Sequence, residues 1–124
     1  MTGIFKSYYF QDSQLWKLDD ENKLQNKEER WTSDDNWNFK PKAKDDDIIY
    51  IENTSEKKVL EFSNDGVPNL VELEEGKAEQ LWKKKANVKG YFTLNNIVSQ
   101  FALTAVSETN LVFSGKITLR WIVN

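Results

Sequence analysis

The chain has 124 residues, of which 20 are acidic and 17 basic, so its formal net charge at pH 7 is −3. It contains neither histidine nor cysteine, which excludes Ser-His-Asp and Cys-His catalysis, disulfide bonds, and metal sites built on imidazole or thiolate. The acidic balance argues against nucleic acid or an anionic membrane as a partner. No spacing marks out a glycosidase-like carboxylate pair, so we expect no enzyme activity, no metal and no cofactor.

The length fits one domain whose core is large enough to fold without disulfide bonds. Met1-Thr2-Gly3 leads into neither the basic region nor the apolar stretch of a signal peptide. No apolar run approaches the length of a transmembrane helix. We therefore expect a cytoplasmic protein, or a domain excised from a longer one.

Strand-like alternation of polar and apolar residues begins in the first third of the chain. Gln14 to Leu18 is predicted to pair antiparallel with Lys23 to Lys27 across the polar turn Asp19-Asp20-Glu21-Asn22. In the middle third, Val59 to Phe62 and Asn69 to Val71 are strands on either side of a strong turn signal, Asn64-Asp65-Gly66.

The stretch from Glu72 to Lys85 is rich in helix-forming residues. Its apolar residues do not recur at helical spacing, so it is predicted to be a loop with at most one helical turn. In the last third, Ile117, Leu119 and Trp121 again share one face of a strand, because they lie two residues apart. The whole chain is predicted to be all-β.

The three thirds resemble copies of one unit. Tryptophans 45 and 39 residues apart close them, in Asp35-Asn36-Trp37, Gln80-Leu81-Trp82 and Leu119-Arg120-Trp121. Between the second and third units, three positions match at a constant offset of 43 residues: Ile51 with Leu94, Asn53 with Asn96, and Leu60 with Leu103. The period predicts three repeats, at about residues 1–42, 43–85 and 86–124.

The first repeat is harder to align. An offset of 45 residues places Leu15 under Leu60 and Trp37 under Trp82. In that alignment Gln14-Leu15-Trp16, although identical to Gln80-Leu81-Trp82, does not occupy the equivalent place. We therefore interpret the shared tripeptide as a coincidence.

Three β-repeats of about forty residues, each closed by Gln-x-Trp or a variant, resemble the ricin-B-like (R-type) β-trefoil lectin family. The match is most specific from Tyr50 to Trp82, whereas the family's Gln is replaced by Asp35 and by Leu119 in the other repeats. The resemblance implies a β-trefoil with pseudo-threefold symmetry, in which three hairpins cap a six-stranded barrel. The structural residues that it implies are Trp37, Trp82 and Trp121 in the core, and Gln80 bound to backbone across a repeat junction.

The same resemblance implies carbohydrate binding, above all of galactose-type sugars, with a glycan or glycoconjugate as partner. The family's site needs a carboxylate that accepts hydrogen bonds from sugar hydroxyls and an aromatic ring that covers the apolar sugar face. In the first repeat, a tryptophan lies near the position of the family's sugar-covering ring, and hydrogen-bond acceptors follow it. The candidate site of this repeat is therefore Trp31, Asp34, Asp35 and Asn36. Trp31 has an equally weighted alternative, which is to fill the junction of a compressed repeat. The fallback site in the second repeat is Glu61, Asn64, Asp65 and Glu79.

A second function remains open. A trefoil can bind a protein through its loops, as a protease inhibitor or an adaptor. The two proline-containing segments, Lys40-Pro41-Lys42-Ala43-Lys44 and Asp65-Gly66-Val67-Pro68-Asn69, are the candidate loops. Binding to glycans that free monosaccharide competes away would favour the lectin, whereas a protein partner without glycan binding would favour the second function.

Overall fold

A computed structural model of the chain describes residues 4–8, 14–27, 31–42, 45–63, 68–86 and 90–106. Its strands are β1 Ile4–Tyr8, β2 Trp16–Leu18, β3 Lys23–Asn26, β4 Trp31–Lys42, β5 Asp45–Asn53, β6 Lys58–Glu61, β7 Asn69–Val71, β8 Trp82–Ala86, β9 Phe92–Asn96 and β10 Ala102–Val106. A 3-10 turn, Ala78–Gln80, precedes β8. The all-β class is confirmed, and so is the single helical turn between Glu72 and Lys85.

Six of the strands close into an antiparallel barrel. The pairing order is β2, β3, β4, β5, β8 and β9, and β9 returns to β2 through Trp16 opposite Phe92. A hairpin of β6 and β7 extends from β5, and β10 joins β9 to β1. Closure pairs each of the six strands on both sides, so the barrel has no free edge.

The main core combines inward-pointing alternate residues of the barrel strands with Leu60 of β6 and Leu103 of β10. Its members are Trp16, Leu24, Trp37, Ile49, Ile51, Leu60, Trp82, Leu94 and Leu103. The opposite face of β5 carries Tyr50, which packs with Val59 and Leu81 in a second, smaller cluster. Both faces of β5 are therefore covered by apolar side chains.

One arrangement recurs three times in the barrel. Trp16 lies opposite Asn26, Trp37 opposite Asn53, and Trp82 opposite Asn96, and all six residues are at most 1% exposed. At each place the residue after the asparagine donates its backbone N–H to the carbonyl of the residue before the tryptophan: Lys27 to Leu15, Thr54 to Asn36, and Ile97 to Leu81. We call these places the Trp16, Trp37 and Trp82 junctions.

The predicted β-trefoil is wrong. The predicted antiparallel pairing of β2 with β3 is confirmed. These two strands were expected to form the hairpin cap of the first repeat, but both belong to the closed barrel. The described chain shows no further hairpin between Asn26 and Trp37, because β4 begins at Trp31 and continues to Lys42, with a register shift against β3. The N-terminal strand β1 pairs with β10, far along the chain. The described residues thus form a six-stranded barrel with two appended strand pairs.

The interpretation of Gln14-Leu15-Trp16 as a coincidence is also wrong. The Trp16 indole Nε1 donates to the carbonyl of Leu103 at 2.9 Å, and the Trp82 indole donates to the carbonyl of Leu60 at 3.2 Å. Leu60 and Leu103 are the residues that the offset of 43 had matched. The two identical tripeptides therefore occupy equivalent places in the barrel. The placement of Leu15 under Leu60 was wrong, because Leu15 corresponds to Leu81, whereas the placement of Trp37 under Trp82 agrees with their equivalent junctions. Trp121 lies outside the described residues.

Candidate functional site

A pocket of about 290 Å³ lies where β6 ends. Its lining residues come from the end of β6, the segment before β8 and the turn after β9: Glu61, Phe62, Ser63, Lys77, Glu79 and Val98. We call it the Glu61 pocket. Two residues of the predicted second-repeat fallback site, Glu61 and Glu79, meet in it, whereas Asn64 and Asp65 lie outside the described residues.

Backbone hydrogen bonds bring the walls of the Glu61 pocket together. The N–H of Phe62 donates to the carbonyl of Glu79 at 2.9 Å, which joins the end of β6 to the 3-10 turn. Before that turn, Gly76 adopts a left-handed backbone with φ of 79° and donates its N–H to the Tyr50 hydroxyl. Glycine adopts this left-handed conformation without steric cost, so the chain can turn sharply at Gly76. The turn places the next residue, Lys77, in the pocket lining.

The Glu61 carboxylate is the best-fixed group of the pocket. Its Oε2 accepts a bond from Lys77 Nζ at 2.8 Å and another from Gln80 Nε2 at 3.3 Å, and its side chain is 16% exposed. Lys77 also lies 3.3 Å from Glu74 Oε2. The hydrogen bond to Glu61, with a smaller contribution from Glu74, holds the pKa of Lys77 above its ordinary value. The ammonium therefore stays protonated throughout the neutral range.

Gln80 is fully buried and holds this part of the chain in place. Its Oε1 accepts the N–H of Glu74 at 2.8 Å, and its Nε2 donates to the carbonyl of Glu72 at 2.9 Å as well as to Glu61. The backbone that it binds belongs to the segment leading into its own turn rather than to a neighbouring repeat. Gln80 thus fixes the loop after β7 and orients the pocket carboxylate.

An aromatic ring and an aliphatic side chain complete the Glu61 pocket. The ring of Phe62 packs edge-to-face against Phe101, with centroids 5.6 Å apart. Val98, in the turn after β9, is half exposed. Sequence reasoning missed Phe62, Lys77 and Val98, because the expected aromatic was sought later in the repeat, at Glu72-Leu73-Glu74. The signal available was an aromatic residue directly after the candidate carboxylate.

The predicted first-repeat site lies elsewhere, along β4, from Trp31 opposite Asn26 to Asn36 opposite Lys23. Trp31 and Asp34 belong to β4, but their side chains lie outside what the structure describes. The amide of Asn36 donates to the carbonyl of Glu21 at 2.6 Å and accepts from Lys23 Nζ at 3.1 Å. The carbonyl of Asp35 accepts the Ser33 hydroxyl at 2.8 Å. Asn36 therefore binds β4 to the turn before β3.

The two candidate protein-binding loops are placed only in part. Lys40, Pro41 and Lys42 belong to β4, where Pro41 lies opposite Ile49, so this segment is strand rather than loop. Residues 43–44 and 64–67 lie outside the description. Asn69 begins β7.

Comparison with known proteins gives no relative, since no family model, curated protein or solved structure matches the chain. The likeness to ricin-B-like lectins stays a prediction from the sequence. Among the described residues, no group of three or more acidic side chains is arranged to hold a metal ion. The helical part of the described chain is also too short to cross a bilayer.

Proposed function

We propose that this protein binds carbohydrate through the Glu61 pocket. The observation that supports the proposal is the fixed carboxylate of Glu61 in a pocket that Phe62 also lines. The contacts from Lys77 and Gln80 both go to Oε2, and a carboxylate oxygen pair can accept about four hydrogen bonds. Glu61 therefore keeps acceptor capacity for sugar hydroxyls.

The other lining groups suit a polyhydroxylated ring. The Lys77 ammonium and the Ser63 hydroxyl can donate, Glu79 can accept, and Phe62 with Val98 offers apolar surface to the C–H face of a sugar. Since Gln80 and Lys77 hold Glu61 before a ligand arrives, little side-chain freedom is lost on binding. The volume is at the small end of the range for ligand pockets, which is about 300–1,000 Å³. A single terminal sugar residue therefore fits better than a longer stretch of glycan.

Substitution of Glu61 tests the proposal directly. Galactose, N-acetylgalactosamine and glucose would be titrated into the protein by calorimetry, alongside a glycan array. Glu61→Ala should lower the affinity for the bound sugar by about 10- to 150-fold, because hydrogen bonds to a charged group contribute about 1.5–3 kcal/mol. Glu75→Ala is the matched control, since Glu75 is exposed, nearby and outside the pocket lining.

The thermal transition of each variant must be recorded, because Glu61→Ala also removes a partner of buried Gln80. Equal loss of sugar binding in Glu61→Ala and Glu75→Ala would contradict the assignment of this pocket. Silence of the folded wild type on every glycan would reject carbohydrate binding and leave the protein-interaction function to be tested.

A further inference from the structure

Two consecutive apolar residues, Ile97 and Val98, lie on the surface in the turn after β9. They are 38% and 50% exposed, and no other large apolar residue of the described chain is as open to solvent. Turns usually carry glycine, proline or short polar residues. Single exposed apolar residues are ordinary, but a pair at the corner of a turn calls for a reason. We call this pair the apolar corner.

The backbone of this turn is the same as that of the turn after β5. In each, the side-chain oxygen of a buried asparagine accepts the N–H of the residue three places later: Asn53 from Glu56 at 2.8 Å, and Asn96 from Ser99 at 3.1 Å. The carbonyl of each asparagine accepts the N–H of the residue four places later at 2.8 Å. That fourth residue is left-handed in both turns, with φ of 58° and 65°.

The two turns differ in the residues at their exposed positions. At the same offset of 43 residues, Thr54 and Ser55 occupy the places of Ile97 and Val98. Both polar residues are exposed, as the turn allows. The backbone geometry therefore does not require apolar side chains here, and the reason for the apolar corner lies outside the turn.

The apolar corner adjoins the Glu61 pocket. Val98 is one of the lining residues, and Ile97 precedes it in the chain but lies outside the lining. The carbonyl of Glu79 accepts Asn96 Nδ2 at 2.8 Å, and the same carbonyl binds the end of β6. The N–H of Val98 donates to Asn96 Oδ1 at 3.0 Å. One buried asparagine therefore fixes the apolar corner to the wall of the pocket.

The small extent of the apolar corner favours a small occupant. A stable protein interface buries about 1,200–2,000 Å² and has about 20–30 residues on each side. The apolar corner has two residues, and the turn continues with the polar residues Ser99 and Gln100. A second copy of the chain would find too little apolar surface here, whereas a group the size of one side chain, attached to a ligand in the pocket, would be covered.

We propose that the Glu61 pocket recognises a glycoside with an apolar aglycone, whose sugar lies in the pocket and whose aglycone lies on the apolar corner. This inference rests on the proposed carbohydrate binding. A glycoside joins a hydroxylated ring to the aglycone through one oxygen, so its two halves match a pocket with a fixed carboxylate and an apolar residue in its lining. Contact with Val98 and Ile97 removes apolar surface from water. The alkyl chain of a glycolipid and the aryl group of a small glycoside share this chemistry.

Titration calorimetry with methyl, phenyl and hexyl β-galactosides and β-glucosides, below their micelle concentrations, tests the proposal. The three glycosides of each sugar differ only in the aglycone. Each methylene fully removed from water favours binding about fourfold. Contact equivalent to one or two methylenes should therefore make the hexyl glycoside bind about 4- to 15-fold more tightly than the methyl glycoside. Tighter binding of hexyl than of phenyl would indicate a lipid-like aglycone, and the reverse order an aryl one.

An exchange of residues between the two turns provides matched variants. Ile97→Thr/Val98→Ser gives the apolar corner the residues that the same backbone carries after β5, so the melting transition should stay unchanged. In this variant the hexyl and methyl glycosides should bind within about twofold of each other, because one methylene is worth about fourfold. The reciprocal variant, Thr54→Ile/Ser55→Val, creates an apolar pair outside the lining of the Glu61 pocket. It should leave the preference for the hexyl glycoside as it is in the wild type.

The outcomes separate this proposal from carbohydrate binding itself. Equal affinity for the methyl, phenyl and hexyl glycosides would overturn the proposal and leave sugar binding intact. Hexyl affinity that is unchanged in Glu61→Ala, or a hexyl preference that survives Ile97→Thr/Val98→Ser, would place the aglycone elsewhere and overturn it as well. Failure of every glycoside to bind would reject both proposals. A dimer of the wild type that this double variant dissolves in sedimentation, without any aglycone preference, would assign the apolar corner to a second copy.

Discussion

The Trp37 and Trp82 junctions have the same backbone pairing, but only the Trp82 indole has a hydrogen-bond partner. Both place a buried tryptophan opposite a buried asparagine, and both bind the residue after that asparagine to the residue before the tryptophan. At Trp82 the hairpin of β6 and β7 brings the Leu60 carbonyl to the indole. At Trp37 the described chain has no such hairpin, and β4 is instead irregular against β3 between Thr32 and Asn36. The Trp37 Nε1 and Asn53 Nδ2 atoms have no hydrogen-bond partner. The barrel therefore tolerates loss of a hairpin, but that loss leaves donors unpaired.

The largest expected effect is the removal of a whole indole. Trp82→Ala should lower the free energy of unfolding by about 3–5 kcal/mol, because a fully buried aromatic side chain is lost from a packed core. Urea denaturation followed by circular dichroism measures this change. A loss below about 1 kcal/mol would mean that Trp82 is not part of the core.

A matched pair of phenylalanine substitutions isolates the hydrogen bond. Trp82→Phe and Trp37→Phe remove similar volume, but only the first breaks an indole bond and leaves the Leu60 carbonyl without that donor. Trp82→Phe should therefore be the more destabilising by about 1–3 kcal/mol. Equal losses in urea denaturation would show that the Trp37 indole is hydrogen-bonded in solution.

The smallest effect concerns the ion pair that fixes Glu61. The pKa of Lys77 is raised by its bond to Glu61, so the pair stabilises the folded state while the lysine is protonated in both states. This contribution is fully present below the ordinary lysine pKa of about 10.4. It is lost as pH rises through the higher folded-state value.

Lys77→Met should accordingly be slightly less stable than the wild type at pH 7, and the two should converge in strongly alkaline buffer. Thermal melts from pH 7 to pH 11.5 measure this difference. Lys83→Met, which removes an exposed lysine on β8, is the control for the general effect of charge at high pH. A gap between wild type and Lys77→Met that widens on going to alkaline pH would contradict the assigned sign.

Much of the local structure could be predicted from the sequence. Alternation with period two found the strands, and the constant offset of 43 matched residues that are all buried, such as Ile51 and Leu94 or Asn53 and Asn96. The topology could not be predicted the same way. Pairing between β1 and β10 or β2 and β9 depends on contacts across most of the chain, which local patterns do not encode. The shared Gln-Leu-Trp was the available signal, and the assumption of contiguous repeats concealed it.

The candidate site could be predicted only in part. Glu61 and Glu79 were named for the second repeat but ranked below Trp31, because the family pattern expects an aromatic late in each repeat. Phe62 is placed at the pocket by its backbone hydrogen bond to Glu79, and Lys77 by the left-handed Gly76 before it. Patterns in a single sequence reveal neither feature. The unpaired donors of Trp37 and Asn53 depend on how three junctions compare in space.

Closure between β2 and β9 has a consequence for the time at which this protein folds. Trp16 lies opposite Phe92 and donates to the carbonyl of Leu103, 87 residues later. Trp16 is synthesised early, but these partners are synthesised only when most of the chain has been made. Such long-range pairing slows folding and leaves apolar strands exposed meanwhile. During synthesis, the early strands must therefore remain soluble without the barrel that finally encloses them.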